Sequence, residues 1–453
     1  MASYQAPREW EEWSNWLAAG LHGRSRWRLS PLLMGLLFAG GRRVVASWIR
    51  AAGVSEDYQN YYFFLQSVGC RWQELGRRIL LLVLKRAIGK QKRVLLAIDD
   101  TPTKRYGPKV EAAGVHHNPT PGPTAHPFCY GHVWVTLAVI VRHRWWGTIG
   151  LPIWSWLYVR EKDVAKLPER YGWMFQTKLK QAADLVLSAV ETLQNAGKEV
   201  WVVADGAYTK RPFVRPVMEL GVTLVGRLRK DAALRDLPPR EKKVRRGRKR
   251  KYGLGRISLA KRAARREHWQ AVTCLVYGVE VVKSVKTFLA THPTFGGAIR
   301  VVIVKEKNGL QFFYCTDPEA SAREIIETFA DRAAIEQVFH DVKEVWGSGQ
   351  QQVRNLWANI AAWHLNPSLD RCQAQPKWEM SVYGTLVTDS GLVQLKNLTE
   401  LQSLGLSGQV TDSGLEHLKG LTELQSLYLC GTQVTDAGVI KLQMAIPNCR
   451  IER

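Results

Sequence analysis

No apolar stretch in the sequence is long enough to cross a bilayer. The longest runs, "LLMGLLFAGG" and "ILLLVL", fall well short of the roughly 20 residues a spanning helix requires, and they read as buried helices. The N-terminal "MASYQAPREWEEW" is acidic and aromatic, unlike a secretory signal peptide. The seven cysteines are scattered and none forms a C-x-x-C pair, so neither a zinc site nor a disulfide framework is indicated, and a reducing, cytoplasmic setting is expected. Acids are scarce: 40 Asp and Glu stand against 64 Lys and Arg, giving a formal charge of +24. A surplus of that size favours a polyanionic partner, through long-range attraction and the release of counterions from a phosphate backbone. Without a spanning segment, a nucleic acid is the partner to expect rather than a membrane.

What is present is a folded chain. At 453 residues, 46% hydrophobic and with 18 Trp, it is long enough for two or three domains with a sizeable core. Residues 1–90 read as helical. "GRRVVASWIRAAGV" places Val44, Val45, Trp48 and Ile49 at helical spacing beside Arg42, Arg43 and Arg50, and "YQNYYFFLQS" and "WQELGRRILLLVLKRAIG" follow as further helices. Such a module reads either as a helix-turn-helix type DNA binder or as a helical cap on the next domain.

From Arg93 the period changes. "RVLLAIDD" is a continuous apolar run ending in two aspartates, which suits a buried strand. "HVWVTLAVIVRH" and "RWWGTIGLPIWSWLYVR" continue as a meander. A long amphipathic helix then runs to Gly197, and "EVWVVADGAY" is a second buried strand ending in an aspartate. "RPFVRPVMELG" reads as a short helix and "VTLVGRL" as another strand, so the whole describes a mixed α/β sheet. Residues 227–266 break the pattern with eighteen Lys or Arg against three acids. The segments after them read as β hairpins, with "EKNG" as a turn, so a basic, β-rich insertion is expected. Next comes "FADRAAIEQVFHDVK", read as one helix from Phe329 to Lys343. At 100° per residue Arg332, Glu336 and Lys343 fall within roughly a 40° arc, on the shoulder of an apolar stripe of Ile335, Val338, Val342 and Val345.

Three acids therefore occupy structured places: Asp99 or Asp100 at the end of one strand, Asp205 at the end of another, and Glu336 on the helix. Strand-end acids converge at one edge of a sheet, and clustered carboxylates repel unless cations neutralise them. Hard divalent ions suit an all-oxygen set. Two such ions can activate a water or a 3′-hydroxyl on one side of a phosphodiester and stabilise the leaving oxygen on the other. The adjacent cations Arg332 and Lys343 suit phosphate. Each acid also has a plainer reading, as a turn residue or an intrahelical ion pair. His116, His117, His126 and His132 lack a Cys or carboxylate at ligand spacing and read as loop histidines.

The motifs "AIDDT" and "VVADGAY", with the spacing Phe329, Arg332, Glu336 and Lys343, resemble the DDE transposases of bacterial insertion sequences. That last set is similar to the Y-x-x-R-x-x-x-E-x-x-x-x-x-x-K signature of the subgroup with a β-rich insertion before the catalytic Glu, and "GRKRKYG" fits the same subgroup. The resemblance covers roughly residues 30–366. It implies an RNase H-like mixed sheet with a β-rich insertion, and Asp99, Asp205 and Glu336 as catalytic and metal-ligating residues. It also implies two Mg²⁺ ions, with Mn²⁺ as substitute, and phosphodiester hydrolysis at transposon ends followed by strand transfer into target DNA. Asp99 is preferred to Asp100 because of the "DDT" context, and strand alternation puts the two side chains on opposite faces. Arg332, Lys343, Phe329, Arg245, Arg246, Arg248, Lys249, Arg250 and Lys251 are the expected DNA contacts, Arg246-Gly247-Arg248 suiting a minor groove. Self-association on DNA and a nucleoid-associated location in a bacterial cytoplasm also follow from the resemblance.

Two departures stand out. The signature Tyr is Phe329, and the chain reaches Pro367, before which helix is disfavoured. There the family's usual C-terminal region gives way to near-identical repeats. "VTDSGLVQLKNLTELQSLGLSGQ" begins at Val387, "VTDSGLEHLKGLTELQSLYLCGTQ" at Val410 and "VTDAGVIKLQ" at Val434. Leu424, Leu427 and Leu429 fit a leucine-rich repeat strand, and two and a half units leave both ends of the stack uncovered. The domains expected are a helical DNA-binding region at 1–90, the catalytic domain at 91–228 and 320–366, the insertion at 229–319, and a linker with leucine-rich repeats at 367–453. The alternative function is a catalytically silent remnant that binds DNA, or a protein partner through the repeats.

Overall fold

The computed structural model describes residues 8–117, 127–143, 147–239, 250–370, 378–381, 387–393, 395, 399, 401–406, 408–429 and 431–452. The chain forms two compact units, each made of separated stretches. One comprises Met1–Ala87, Thr103–Gly131 and Asp341–Arg453, the other Ile88–Pro102 and His132–His340. Among the described residues no helix is long and apolar enough to cross a membrane.

The first unit opens with helices α1 (Arg8–Ala18), α2 (Leu29–Phe38), α3 (Val45–Ala51), α4 (Tyr58–Cys70) and α5 (Trp72–Val83). The apolar run read as a buried helix is α2, whose Leu29, Leu32, Leu33, Met34, Leu36, Leu37 and Phe38 are all buried. Glycines permit the close crossings in this unit. A Cβ on Gly35 would stand 1.9 Å from the Trp48 carbonyl oxygen of α3, and one on Gly69 would stand 1.9 Å from that of Trp357. Trp357 belongs to helix Leu356–Asp370, which continues through Pro367, contrary to expectation. A proline costs this helix one hydrogen bond. The helix is held by burial of Leu356, Ala358, Ile360, Ala361, Ala362, Trp363 and Leu365, which overrides the local preference.

The repeats form a parallel sheet in the order Trp378–Ser381, Leu401–Gly405, Ser426–Tyr428, Arg450–Glu452. Ser403 pairs with Ser426 and Ser426 with Arg450, so the sequence period is the ladder spacing. Leu424, Leu427 and Leu429 are buried, as expected. Trp378–Ser381 and Arg450–Glu452 are the outermost strands of this sheet, one on either side of the repeat strands. Each "VTD" turn clasps the next. Asp389 accepts from the Thr411 backbone N–H at 2.8 Å and from its hydroxyl at 2.5 Å, and Asp412 accepts from the same two groups of Thr435 at 2.7 and 2.6 Å.

The strands begin with β1 (Arg93–Lys104), β2 (Gly114–His117), β3 (Phe128–His143) and β4 (Gly147–Tyr158). β2 pairs with the start of β3 in the first unit. His116 and His117 lie on β2, where pairing with β3 draws them into a ladder, and His132 lies on β3, so these three are strand rather than loop histidines; His126 lies outside the described residues. β1 also runs four residues beyond the two aspartates that were expected to end it.

In the second unit follow α6 (Glu161–Val164), α7 (Lys178–Asn195), β5 (Glu199–Ala204), α8 (Arg211–Glu219) and β6 (Thr223–Arg227). After them come β7 (Leu234–Arg235), β8 (Arg256–Ile257), α9 (Leu259–Ala264), β9 (Gln270–Val276), β10 (Val279–Thr291), β11 (Ala298–Glu306), β12 (Gly309–Cys315), α10 (Ala322–Asp331) and α11 (Ala333–His340). The sheet order is β3-β1-β5-β6-β12-β11-β10-β7-β8, with β4 on β3 and β9 on β10. β1, β5 and β6 are parallel, and β12 joins β6 antiparallel. This is a mixed α/β architecture of RNase H-like type, and the β-rich insertion extends the same sheet. The β9–β10 hairpin turns on Tyr277 and Gly278, both at positive φ. Within the basic run, Arg245, Arg246, Arg248 and Lys249 lie outside the described residues, while Arg250 and Lys251 are exposed.

Side-chain alternation divides this sheet into two packed faces. Ala97, Val203, Val225, Val302 and Phe313 share a core with Ile325, Ile326, Ile335 and Phe339 of α10 and α11. Leu96, Ile98, Val202 and Leu224 fall on the opposite face by alternation and are buried too. On α7, Ala182, Ala183, Val186, Ala189, Val190 and Leu193 are buried, and on α8 Phe213, Val214 and Val217.

Candidate active site

The parallel pairing of β1 with β5 ends at Ile98 opposite Ala204. The next residue on each chain is an acid, Asp99 and Asp205. Neighbouring strands lie about 4.8 Å apart, so the register sets these two carboxyl-bearing residues side by side just past the end of the ladder. Both follow by two residues a member of the α10–α11 core, Ala97 and Val203, so alternation turns them to that helical face.

The third acid arrives on that face. The expected single helix from Phe329 is two segments. α10 starts earlier, at Ala322, with a capping box in which Ser321 Oγ accepts from the Glu324 N–H and the Glu324 carboxylate accepts from the Ser321 N–H. It stops at Asp331, and α11 resumes at Ala333. Arg332 sits at the break and reaches two carboxylates at once. Its Nη1 donates to Asp99 Oδ2 at 2.9 Å, and its Nη2 donates to Glu336 Oε1. Its Nε is buried without a hydrogen-bond partner. The guanidinium also lies 5.5 Å from the centre of the Phe329 ring, which packs at a tilt against Phe313 with ring centres 4.8 Å apart. Phe329 thus packs against the core beneath Arg332. Lys343 lies in a wide helical turn, Asp341–Val345, that belongs to the first unit, and burial lowers its amine below the ordinary lysine range.

Electrostatics separate the two neighbouring aspartates. Burial pushes the Asp99 carboxyl up to about 7; Arg332 opposes the shift, and the Asp205 charge adds to it. Asp100 points the other way. Its Oδ2 accepts from Lys178 Nζ at 2.6 Å, and its Oδ1 accepts from the Tyr208 hydroxyl at 2.9 Å. Burial, followed by the Asp100 charge, drives the Tyr208 hydroxyl well above the ordinary tyrosine range, so it stays a neutral donor. Asp205 accepts from the Ala207 backbone N–H at 2.7 Å within its own turn.

Lys178 and Tyr208 do not stand out in the sequence. Lys178 nonetheless carries a signal there. It is the first residue of α7 after the N-cap Thr177, where the helix dipole disfavours a cation, so a lysine there needs a carboxylate partner.

The site contains only oxygen donors. Asp99 is buried beside the charge of Asp205, and a hard divalent cation suits two neighbouring carboxylates, so the pair fits such an ion. Glu336 is tied to the pair through Arg332, and among the described residues no three His, Cys, Asp or Glu already stand as a closed metal-binding group.

A family model described as DDE superfamily endonuclease matches residues 17–278. No curated protein matches the chain.

Proposed function

Because the chain belongs to the DDE superfamily of endonucleases, we propose that it is a DNA transposase that cuts phosphodiesters at transposon ends and joins the freed 3′ ends to target DNA. The observation that carries this reading is the register that brings Asp99 and Asp205 together just past the end of the β1–β5 ladder. The Arg332 bridge from Asp99 to Glu336 adds the third acid. Asp99, Asp205 and Glu336 would hold Mg²⁺ or Mn²⁺. When bound, such ions lower the pKa of an attacking water or hydroxyl and stabilise the leaving oxygen.

The remaining roles fall to the chain's own groups. Arg332 holds the carboxylates of Asp99 and Glu336 toward each other. The basic run at 227–266, Arg245, Arg246, Arg248, Lys249, Arg250 and Lys251 included, supplies backbone-phosphate contacts, and Lys343 adds one. The leucine-rich tail has no part in the chemistry in this reading. The test is cleavage of DNA carrying the terminal repeats that flank the gene, with Mg²⁺ present. Glu336→Gln should abolish cutting while DNA affinity is kept. Cutting that survives the change would remove Glu336 and the transposase assignment built on it.

A further inference from the structure

Asp100 is a fourth acid within one residue of the proposed site, and the structure binds it from both sides. Lys178 comes from the start of α7 and Tyr208 from the turn after β5, so Asp100 on β1 ties three elements together. Tyr208 is 2% exposed, and its ring packs edge-on against Phe213 of α8 at 5.6 Å. It stands three residues after Asp205, and its backbone N–H donates to the Asp205 carbonyl at 3.3 Å. The same turn is tied at its far end, where the Thr209 hydroxyl donates to the Arg227 carbonyl at 3.2 Å. The Tyr208 hydroxyl is therefore the side-chain link between the turn that presents Asp205 and the strand that presents Asp99.

We propose that Tyr208 is a positioning residue for the cleavage reaction: by holding Asp100 against Lys178, it sets the placement of Asp205 beside Asp99 and keeps a competing carboxylate out of the site. The inference rests on the nuclease reading above. A plain buried tyrosine would need only some acceptor for its hydroxyl. Here the acceptor is the charged neighbour of one proposed ligand, and the donor lies on the turn of another. Residues that orient ligands in this way typically change metal affinity or activity by about 10- to 100-fold when removed.

Tyr208→Phe keeps the ring on Phe213 and removes only the O–H. The full chain and this variant are compared for Mn²⁺ affinity by calorimetry without DNA, and for kcat and KM in cleavage. The expected result is Mn²⁺ binding weakened about tenfold and kcat lowered by a similar factor with KM for DNA unchanged. Lys178→Met, which frees the same carboxylate from the other side, should move both values in the same direction. Adding Asp100→Asn to Tyr208→Phe should recover Mn²⁺ affinity, because the freed side chain no longer carries a charge. If Tyr208→Phe melts earlier but binds Mn²⁺ and cuts like the unaltered chain, the hydroxyl is only a packing group and the proposal is overturned while the nuclease reading stands. If the unaltered chain neither binds Mn²⁺ nor cuts, both fall together.

Discussion

The acids of the repeat tail and those of the sheet edge look alike in sequence and are used in opposite ways. Asp389 and Asp412 follow "VT", and each spends both carboxylate oxygens on the backbone N–H and hydroxyl of a threonine one repeat on. Asp99 and Asp205 follow apolar strands, and each stands beside another acid. Asp99 also has a donor on each oxygen, the Asp100 backbone N–H and Arg332, yet burial pushes its carboxyl up to about 7, with the Asp205 charge adding to the shift. A carboxylate that clasps neighbouring turns with no like charge beside it stabilises the fold. One left facing a second negative charge costs stability and keeps a reason to bind a cation.

The sharpest way to break this comparison is to remove one acid of each kind. Asp205→Ala should lower DNA cleavage by about a thousandfold or more, a loss of roughly 4 kcal/mol of transition-state stabilisation. It should barely move the melting temperature, because the change removes one hydrogen bond, to Ala207, within the turn. Asp412→Ala should do the reverse. Two hydrogen bonds vanish and two Thr435 donors are left without their acceptor, costing the tail about 2 kcal/mol, read as an earlier unfolding step, with cleavage unchanged. Weakened cleavage from Asp412→Ala would mean that the tail acids are not purely structural.

Two smaller effects sharpen the picture. Replacing several Lys and Arg within 227–266 by Gln should weaken DNA binding across all sequences. It should flatten the salt dependence by about one unit of slope for each phosphate no longer neutralised, and an unchanged slope in a salt titration would make the run a bystander. Ser321→Ala removes the cap of α10 and should cost about 1 kcal/mol in denaturant unfolding. Its effect on cleavage should be slight, since Arg332 sits at the other end of that helix.

Much of the sheet unit was legible because its signals are local. Continuous apolar runs marked β1 and β5 as buried strands, and the "EKNG" turn fell where turn chemistry put it. The closeness of Asp99 and Asp205 was open to inference from two apolar runs that each lead into acid. What was missed depends on interactions distant in sequence. Helix Leu356–Asp370 passes Pro367 because seven buried side chains outweigh one missing hydrogen bond. The break at Arg332 interrupts a stretch whose apolar period is unbroken, so no periodicity could show it. Tyr208 reads as one more aromatic in "ADGAY" until the fold brings Asp100 to its hydroxyl.

The register that joins β1 to β5 also governs when the site can exist. Ile98 and Ala204 are partners separated by over a hundred residues, and Glu336 follows only after the inserted strands β7–β12 have been made. Pairings of such long range form late, since loop closure must be met before they are rewarded. During synthesis the first two acids leave the ribosome long before the third, so a growing chain would hold the proposed triad incomplete through most of its translation. On the proposed assignment, a nuclease assembled in this order would be inert while nascent and competent only once the sheet, its insertion and α11 had closed on one another.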